Sequence, residues 1–118
     1  MTLSTTARNN QVNAFGTTIN TGAGANGTVE YGNSDMSAIY ITWNLDGTNP
    51  LTAPATGVAT FTGQPIAATG GTTGTATHYQ LKNKDGGVDL GPLPLAANLS
   101  VVAGQSYDLS GTVTQPAS

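Results

Sequence analysis

The chain has 118 residues, the size of one domain, and carries only three basic and six acidic residues, which give a formal net charge of −3. Clustered cations bind a phosphate backbone or an anionic membrane surface, so this composition excludes nucleic acid and membrane as partners. No cysteine is present, which excludes disulfides and thiolate metal sites, and no apolar run reaches the roughly 18 residues of a membrane span.

The first predicted element is the only helix, over residues 4–20. Ser4 is a good N-cap residue because its hydroxyl can accept a bond from a free amide of the first turn. Val12, Phe15 and Ile19 follow at helical spacing and would share one face. An Asn- and Gly-rich run then ends the helix. The start of the chain lacks a basic segment followed by an apolar one, so no secretion signal is expected.

Beyond the helix, apolar and polar residues alternate, which is the period of a β-strand. The clearest strand covers residues 38–45, where Ile41 and Trp43 would share an apolar face. Because this strand has the largest apolar load, we predict that it lies at the centre of the sheet. A shorter strand is predicted over residues 57–63, and a loop or weak edge strand over residues 66–74.

In the second half of the chain, alternation clearly predicts a strand over residues 75–84, with Leu81 pointing inward and Gln80 pointing outward. Asp85 and Gly86 follow directly and are typical of a hairpin turn. We expect the return strand to stop at the prolines at positions 92 and 94, because proline cannot donate to a ladder. The last two pieces are predicted over residues 99–102 and 107–114.

Short strands about 10 residues apart, with turn residues between them, are typical of a β-sandwich or barrel. The predicted fold is therefore mainly β. We expect a single domain over residues 1–118, built as a small antiparallel β-sandwich, Ig-like or jelly-roll-like, with one N-terminal helix.

Groups that could carry out catalysis are few. His78 is the only histidine, and its strand position predicts an exposed side chain on the polar face. Asp46 and Asp85 stand in predicted turns, where aspartate serves local hydrogen bonds. The chain has neither a Gly-x-Ser-x-Gly elbow nor an Asp-x-Asp-x-Asp calcium loop. We therefore expect no catalytic residue, no cofactor, no metal and no enzyme activity.

The scarcity of charge also bears on partners. A surface of Thr, Ser, Asn and Gly repels its neighbours weakly and suits packing against other protein. The amphipathic helix lies at a free end of the chain, so Arg8, Gln11 and Phe15 are predicted partner contacts. Tyr40 is the fourth, because it lies on the strand face opposite Trp43. In the alternative interpretation, the helix only closes one end of the sandwich.

Residues 3–14 read LSTTARNNQVNA and resemble the start of a group of small tailed-bacteriophage proteins, which begin Leu-Ser-Thr-x-x-Arg-Asn-x-x-Val-x-Ala. Residues 81–86 are similar to the Lys-x-x-Asp-Gly hairpin of that group. The segments 99–105 and 113–116 resemble its Ala-Gly-Gln turn and its Thr-x-Pro tail. Residues 46–72 depart from the group in length and composition.

This resemblance implies a virion structural protein, made in the host cytoplasm and located on the capsid surface. The leading expectation is a capsid decoration, or cement, protein that binds the lattice of the major capsid protein and forms a homo-oligomer. The alternative is a tail or neck component, or a module that binds carbohydrate on the host surface. Edge strands, a hazard for a free monomer, can be paired or covered in a symmetric assembly.

Overall fold

The structure is a computed structural model that describes residues 2–116. One helix, α1 (Thr5–Ile19), precedes the strands in this part of the chain. The strands are β1 (Thr28–Gly32), β2 (Ile39–Asn44), β3 (Val58–Thr60), β4 (Ile66–Thr69), β5 (Gly74–Lys82), β6 (Val88–Val101), β7 (Ser106–Leu109) and β8 (Thr112–Thr114). Every strand pair is antiparallel, which confirms the predicted mainly β sandwich with one N-terminal helix.

Helix α1 begins as its sequence predicts. The Ser4 hydroxyl accepts a hydrogen bond from the Ala7 amide at 3.1 Å and so caps the first turn. Val12 and Ile19 are buried, and Ile19 belongs to the hydrophobic core, while Phe15 is half-buried beside it. The helix therefore covers part of the core instead of standing apart from the sheets. No helix within residues 2–116 is both long and apolar enough to cross a membrane.

The largest sheet has four strands in the order β2-β1-β5-β6, and two ribbons, β3–β8 and β4–β7, complete the fold. The predicted central position of the Trp43 strand is wrong, because β2 forms an edge of the large sheet. Trp43 is nevertheless 1% exposed, since its Nε1 reaches β7 and donates to the Tyr107 carbonyl at 3.1 Å. The amides of Gly71 and Thr72 both donate to the Tyr40 carbonyl and so cover the outer edge of β2.

Strand β6 forms the opposite edge and runs for 14 residues. It continues through Pro92 and Pro94, so the predicted stop at these residues is wrong. Proline is tolerated on an edge strand, where a missing amide need not interrupt a ladder. The pairing is irregular, because four residues, 95–98, separate the partners of His78 and Ala76, whereas β5 has only Thr77 between these two. Such a bulge bends the edge of a sheet.

The end of the chain forms two strands where the sequence predicts one over residues 107–114. Ser110 and Gly111 separate β7 from β8, and the two strands pair with different partners, β4 and β3. The segment predicted as a loop or weak edge strand accordingly contains β4. The turn at Asp85 and Gly86 is confirmed, with the Gly86 amide donating to the Asn83 carbonyl at 3.0 Å.

One core cluster joins α1 to the large sheet and to the β4–β7 ribbon. The Tyr31 ring meets Trp43 edge-on at 4.7 Å between centroids, which is a favourable aromatic arrangement. The buried members are Ile19, Val29, Ile41, Trp43, Leu45, Phe61, Ala76, Leu81, Val101 and Leu109.

Gln80 is buried, contrary to its predicted outward position. It lies opposite Glu30 in the β1–β5 register, and its Nε2 donates to Glu30 Oε1 at 2.8 Å. Lys82 Nζ lies 3.1 Å from the same oxygen. The buried amide thus has a charged partner, which is how a polar side chain is accommodated away from water.

Candidate functional site

Charged side chains are absent from long parts of the chain. No Asp, Glu, Lys or Arg occurs in residues 9–29, 47–81, 90–107 or 109–118. Strands β3, β4 and β8 therefore carry no formal charge, and neither does α1 beyond Arg8. This distribution makes the surface formed by α1, β3 and β8 the best candidate for a contact with another protein, because interface cores are depleted of charge.

Two side chains join α1 to the β3–β8 ribbon. Arg8 Nε donates to the Gln115 carbonyl at 2.9 Å, and Asn9 Oδ1 accepts from the Gly57 amide at 2.7 Å. The Gln115 amide in turn donates to the Gly57 carbonyl at 2.8 Å. Gly57 has a φ of +75°, and a Cβ there would lie 2.9 Å from the Cβ of Arg8, so glycine is required.

Helix and ribbon are thus joined, and we call their uncharged exposed side chains the neutral face. It consists of the exposed side chains of α1 beyond Arg8 and of β3 and β8. Its members are Asn10, Gln11, Asn13, Ala14, Thr17, Thr18, Val58, Thr112 and Thr114. Hydroxyl, amide and small apolar groups make up this surface.

An apolar groove lies beside the neutral face, between α1, β6 and β8. Its first part, about 320 Å³, reaches the helix, and its second part, about 360 Å³, continues past Tyr79 to residues 94–96 of β6. Leu90 and Val113 line both parts, so the two are continuous. None of the residues that line either part carries a formal charge. We call the two parts together the β6–β8 groove.

Three of the four predicted contact residues lie around the first part of this groove. Gln11 is exposed and Phe15 is half-buried, and both line it. Arg8 is half-buried and bonds Gln115, which is itself a lining residue. Their role as partner contacts stays a prediction.

Tyr40, the fourth predicted contact, lies elsewhere. It is half-buried on β2 and lines neither part of the groove. Its ring packs so closely on Gly74 that a Cβ at that position would collide with it. Much of the Tyr40 side chain therefore serves packing within the protein.

Leu90, Val113 and Thr114 also line the groove, and sequence reasoning did not single them out. They come from β6 and β8, which are distant in sequence and do not pair with each other. The only sequence signal for them was the absence of charge in the segments that hold them.

Two tyrosines line the second part of the groove. Tyr31 and Tyr79 both line it, with ring centroids 6.3 Å apart. Burial raises the pKa of the Tyr31 hydroxyl above its ordinary value of 10.0, and the neighbouring Tyr79 adds to this effect. Tyr31 is therefore uncharged at neutral pH, and the groove offers apolar contact with a few hydroxyl groups.

The aspartates in turns behave as their positions predict. Asp46 Oδ1 accepts from the amides of Asn49 and Thr48, and these bonds lower the pKa of its carboxyl group. Asp85 Oδ1 accepts from the Ala23 amide at 2.9 Å. His78 is half-buried instead of exposed, with Nδ1 2.8 Å from the neighbouring Thr77 hydroxyl.

Within residues 2–116, no three His, Cys, Asp or Glu side chains form a group that could hold a metal ion. The neutral face and the groove present apolar groups, hydroxyls and amides. Comparisons of the chain with protein-family models, with curated proteins and with solved structures give no match.

Proposed function

We propose that this protein is a virion structural protein that decorates a capsid by binding the lattice of the major capsid protein. It acts as a homo-oligomer on the capsid surface and has no enzyme activity. The observation that carries the proposal is the neutral face, the uncharged exposed side chains of α1 beyond Arg8 and of β3 and β8, on a helix and a ribbon that Arg8 and Asn9 join.

The physical argument concerns charge. Each copy has a formal net charge of −3, so copies that are crowded on a lattice repel one another where their charges meet. Contact through uncharged surfaces avoids this repulsion, and no charged side chain has to lose its water at the interface. A protein with so few charges is poorly protected against association when free, but the same property favours a place in an assembly.

The resemblance of residues 3–14 to small tailed-bacteriophage proteins supports the proposal from the sequence. The resembling segment contains the first turns of α1, including Gln11 on the neutral face and Arg8, which joins the helix to the ribbon. This segment of the resemblance thus contains residues that build the proposed contact surface.

The number of copies per virion tests the proposal. Quantitative mass spectrometry of purified virions measures this protein relative to the major capsid protein. Decoration of a lattice requires comparable copy numbers of the two proteins. A handful of copies per particle would reject decoration and favour the tail or neck, and complete absence from virions would reject a structural role.

A further inference from the structure

Strand β8 has an open edge, as the hydrogen bonds of its neighbour β3 reveal. In an antiparallel pair, residues that exchange backbone bonds alternate with residues that do not. Val58 lies opposite Thr114, but its amide and carbonyl are both bonded to Ala55. Thr114 therefore exchanges no backbone bond with β3.

The same holds two residues earlier on β8. Thr112 lies opposite Thr60, whose carbonyl accepts from the Thr52 amide at 2.8 Å and whose amide donates to the Thr52 hydroxyl at 3.0 Å. The backbone groups of Thr112 and Thr114 consequently point away from β3. Neither residue has a backbone hydrogen-bond partner among residues 2–116.

These free groups border the β6–β8 groove. Thr114 lines the part near the helix, and Thr112 lines the part that reaches residues 94–96 of β6. The second part extends down to Phe61, Leu81 and Leu109, which belong to the hydrophobic core. The groove thus combines an unpaired strand edge on one side with an apolar floor, which is the arrangement that binds an added strand.

We infer that the β6–β8 groove binds an extended, uncharged segment of the major capsid protein, which adds to the open edge of β8 as a further strand. The inference rests on the proposed function and names the element of the partner that is bound. The backbone of the segment bonds Thr112 and Thr114. Apolar side chains at alternate positions of the segment pack into the groove on Leu90 and Val113.

The absence of charge at the site favours an uncharged segment as the occupant. No formal charge lines the groove, so a charged side chain entering it would lose water without gaining a partner. The large sheet of a second copy offers poor edges, so the competing occupant is the β8 strand of that copy, which is also uncharged. The amides of Gly71 and Thr72 cover the edge of β2, and the edge strand β6 contains Pro92 and Pro94, which cannot donate.

Hydrogen exchange tests the inference on the intact protein. Exchange of the segment that contains Thr112 and Thr114 is measured for the free protein and for the protein bound to capsids assembled without it. We expect these two amides to exchange rapidly in the free protein and to become protected on capsids. Binding with unchanged exchange would overturn the inference alone. Failure to bind capsids would overturn the proposed function as well.

A second copy as the occupant would give a different result. In that case, protection of the same segment would rise with protein concentration in the absence of capsids, together with the mass measured by light scattering. That outcome would overturn the assignment to the capsid protein.

A matched pair of variants tests how much the backbone amide of Thr114 contributes to capsid binding. Thr114→Pro removes an amide hydrogen that β3 does not use, whereas Thr114→Val keeps it and removes only the hydroxyl. We expect Thr114→Pro to bind capsids about tenfold more weakly than Thr114→Val does, the effect of one lost hydrogen bond. Equal binding by two folded variants would contradict strand addition at Thr114.

Discussion

The Arg8 guanidinium donates from Nε to the Gln115 carbonyl at 2.9 Å, which ties the first turn of α1 to the chain beyond the last strand. A residue predicted from sequence as a partner contact therefore already has a partner inside the protein. Gln11, in the next turn, is exposed and lines the groove. The two residues are expected to respond differently to substitution.

Replacement of Arg8 by methionine keeps most of its aliphatic stem and removes its hydrogen bond. We expect Arg8→Met to lower the free energy of unfolding by about 1–2 kcal/mol, because the bond is charge-assisted and half-buried. Urea denaturation measures the change. Unchanged stability combined with lost capsid binding would instead make Arg8 a direct contact.

A lysine at position 11 tests the neutral face. Gln11 is exposed, so we expect Gln11→Lys to change the free energy of unfolding by less than about 0.5 kcal/mol. Capsid binding should fall by at least about tenfold, because an unpaired charge would be taken into the interface. Cosedimentation with capsids assembled without the protein measures binding.

The control for that prediction is Asn44→Lys, which adds the same charge at an exposed position on β2 that does not line the groove. It should bind capsids as the wild type does. An equal loss in both variants would show that the effect comes from the overall charge and not from the neutral face.

The packing of Tyr40 on Gly74 predicts an energetic coupling between them. Gly74→Ala would place a methyl group against the Tyr40 ring, so we expect a loss of about 1–3 kcal/mol in the free energy of unfolding. In a Tyr40→Ala background the ring is gone, and Gly74→Ala should then be much less destabilising. A double-mutant cycle followed by urea denaturation measures the coupling. Additive effects would contradict the packing described for Tyr40.

We expect acid to lower the stability of the fold by protonating the Asp46 carboxylate. Hydrogen bonds from two backbone amides lower its folded pKa below the ordinary value of 3.8. Its contribution to stability is therefore complete above pH 3.8 and is lost as the pH falls through the folded pKa. Asp46→Asn keeps an oxygen acceptor but cannot titrate in this range.

The pH dependence of the midpoint denaturation temperature checks this prediction. The difference between wild type and Asp46→Asn should be constant near neutral pH and narrow below pH 3.8. A difference that stays constant throughout the acid range would show that the charge of Asp46 does not stabilise the fold.

Local sequence signals were sufficient for some of the elements. The Ser4 cap and the spacing of Val12 and Ile19 predicted α1 to within a residue at either end. Alternation predicted β2, and Asp85-Gly86 predicted the hairpin turn. Each of these features depends on residues that are close together along the chain, where propensity and periodicity act directly.

Strand order and long-range burial were not predictable in the same way. The apolar load of β2 suggested a central strand, but its Trp43 is buried by β7, which lies far along the chain. Gln80 follows the polar side of its strand, yet Glu30 on β1 provides a buried partner for it. The alternation of residues within one strand does not reveal what packs against either face.

The residues of the candidate site likewise include some that the sequence predicted and some that it did not. Gln11 and Phe15 were predicted because they lie on one helix with a recognisable pattern. Leu90 and Thr114 were missed because the groove exists only where β6 and β8 approach without pairing. The open edge of β8 depends on which backbone groups β3 uses, and the sequence has no signal for that choice.

The central claim is that this protein attaches to capsids through an uncharged surface, and the salt dependence of attachment tests it most directly. Purified protein is mixed with capsids assembled without it, and cosedimentation gives the dissociation constant at about 0.1 M and about 1 M salt, where the Debye length falls from about 10 Å to about 3 Å. We expect saturable binding at a copy number comparable to that of the major capsid protein, with an affinity nearly independent of salt. Absence of binding, or an affinity that falls more than about tenfold over this range, would contradict the claim.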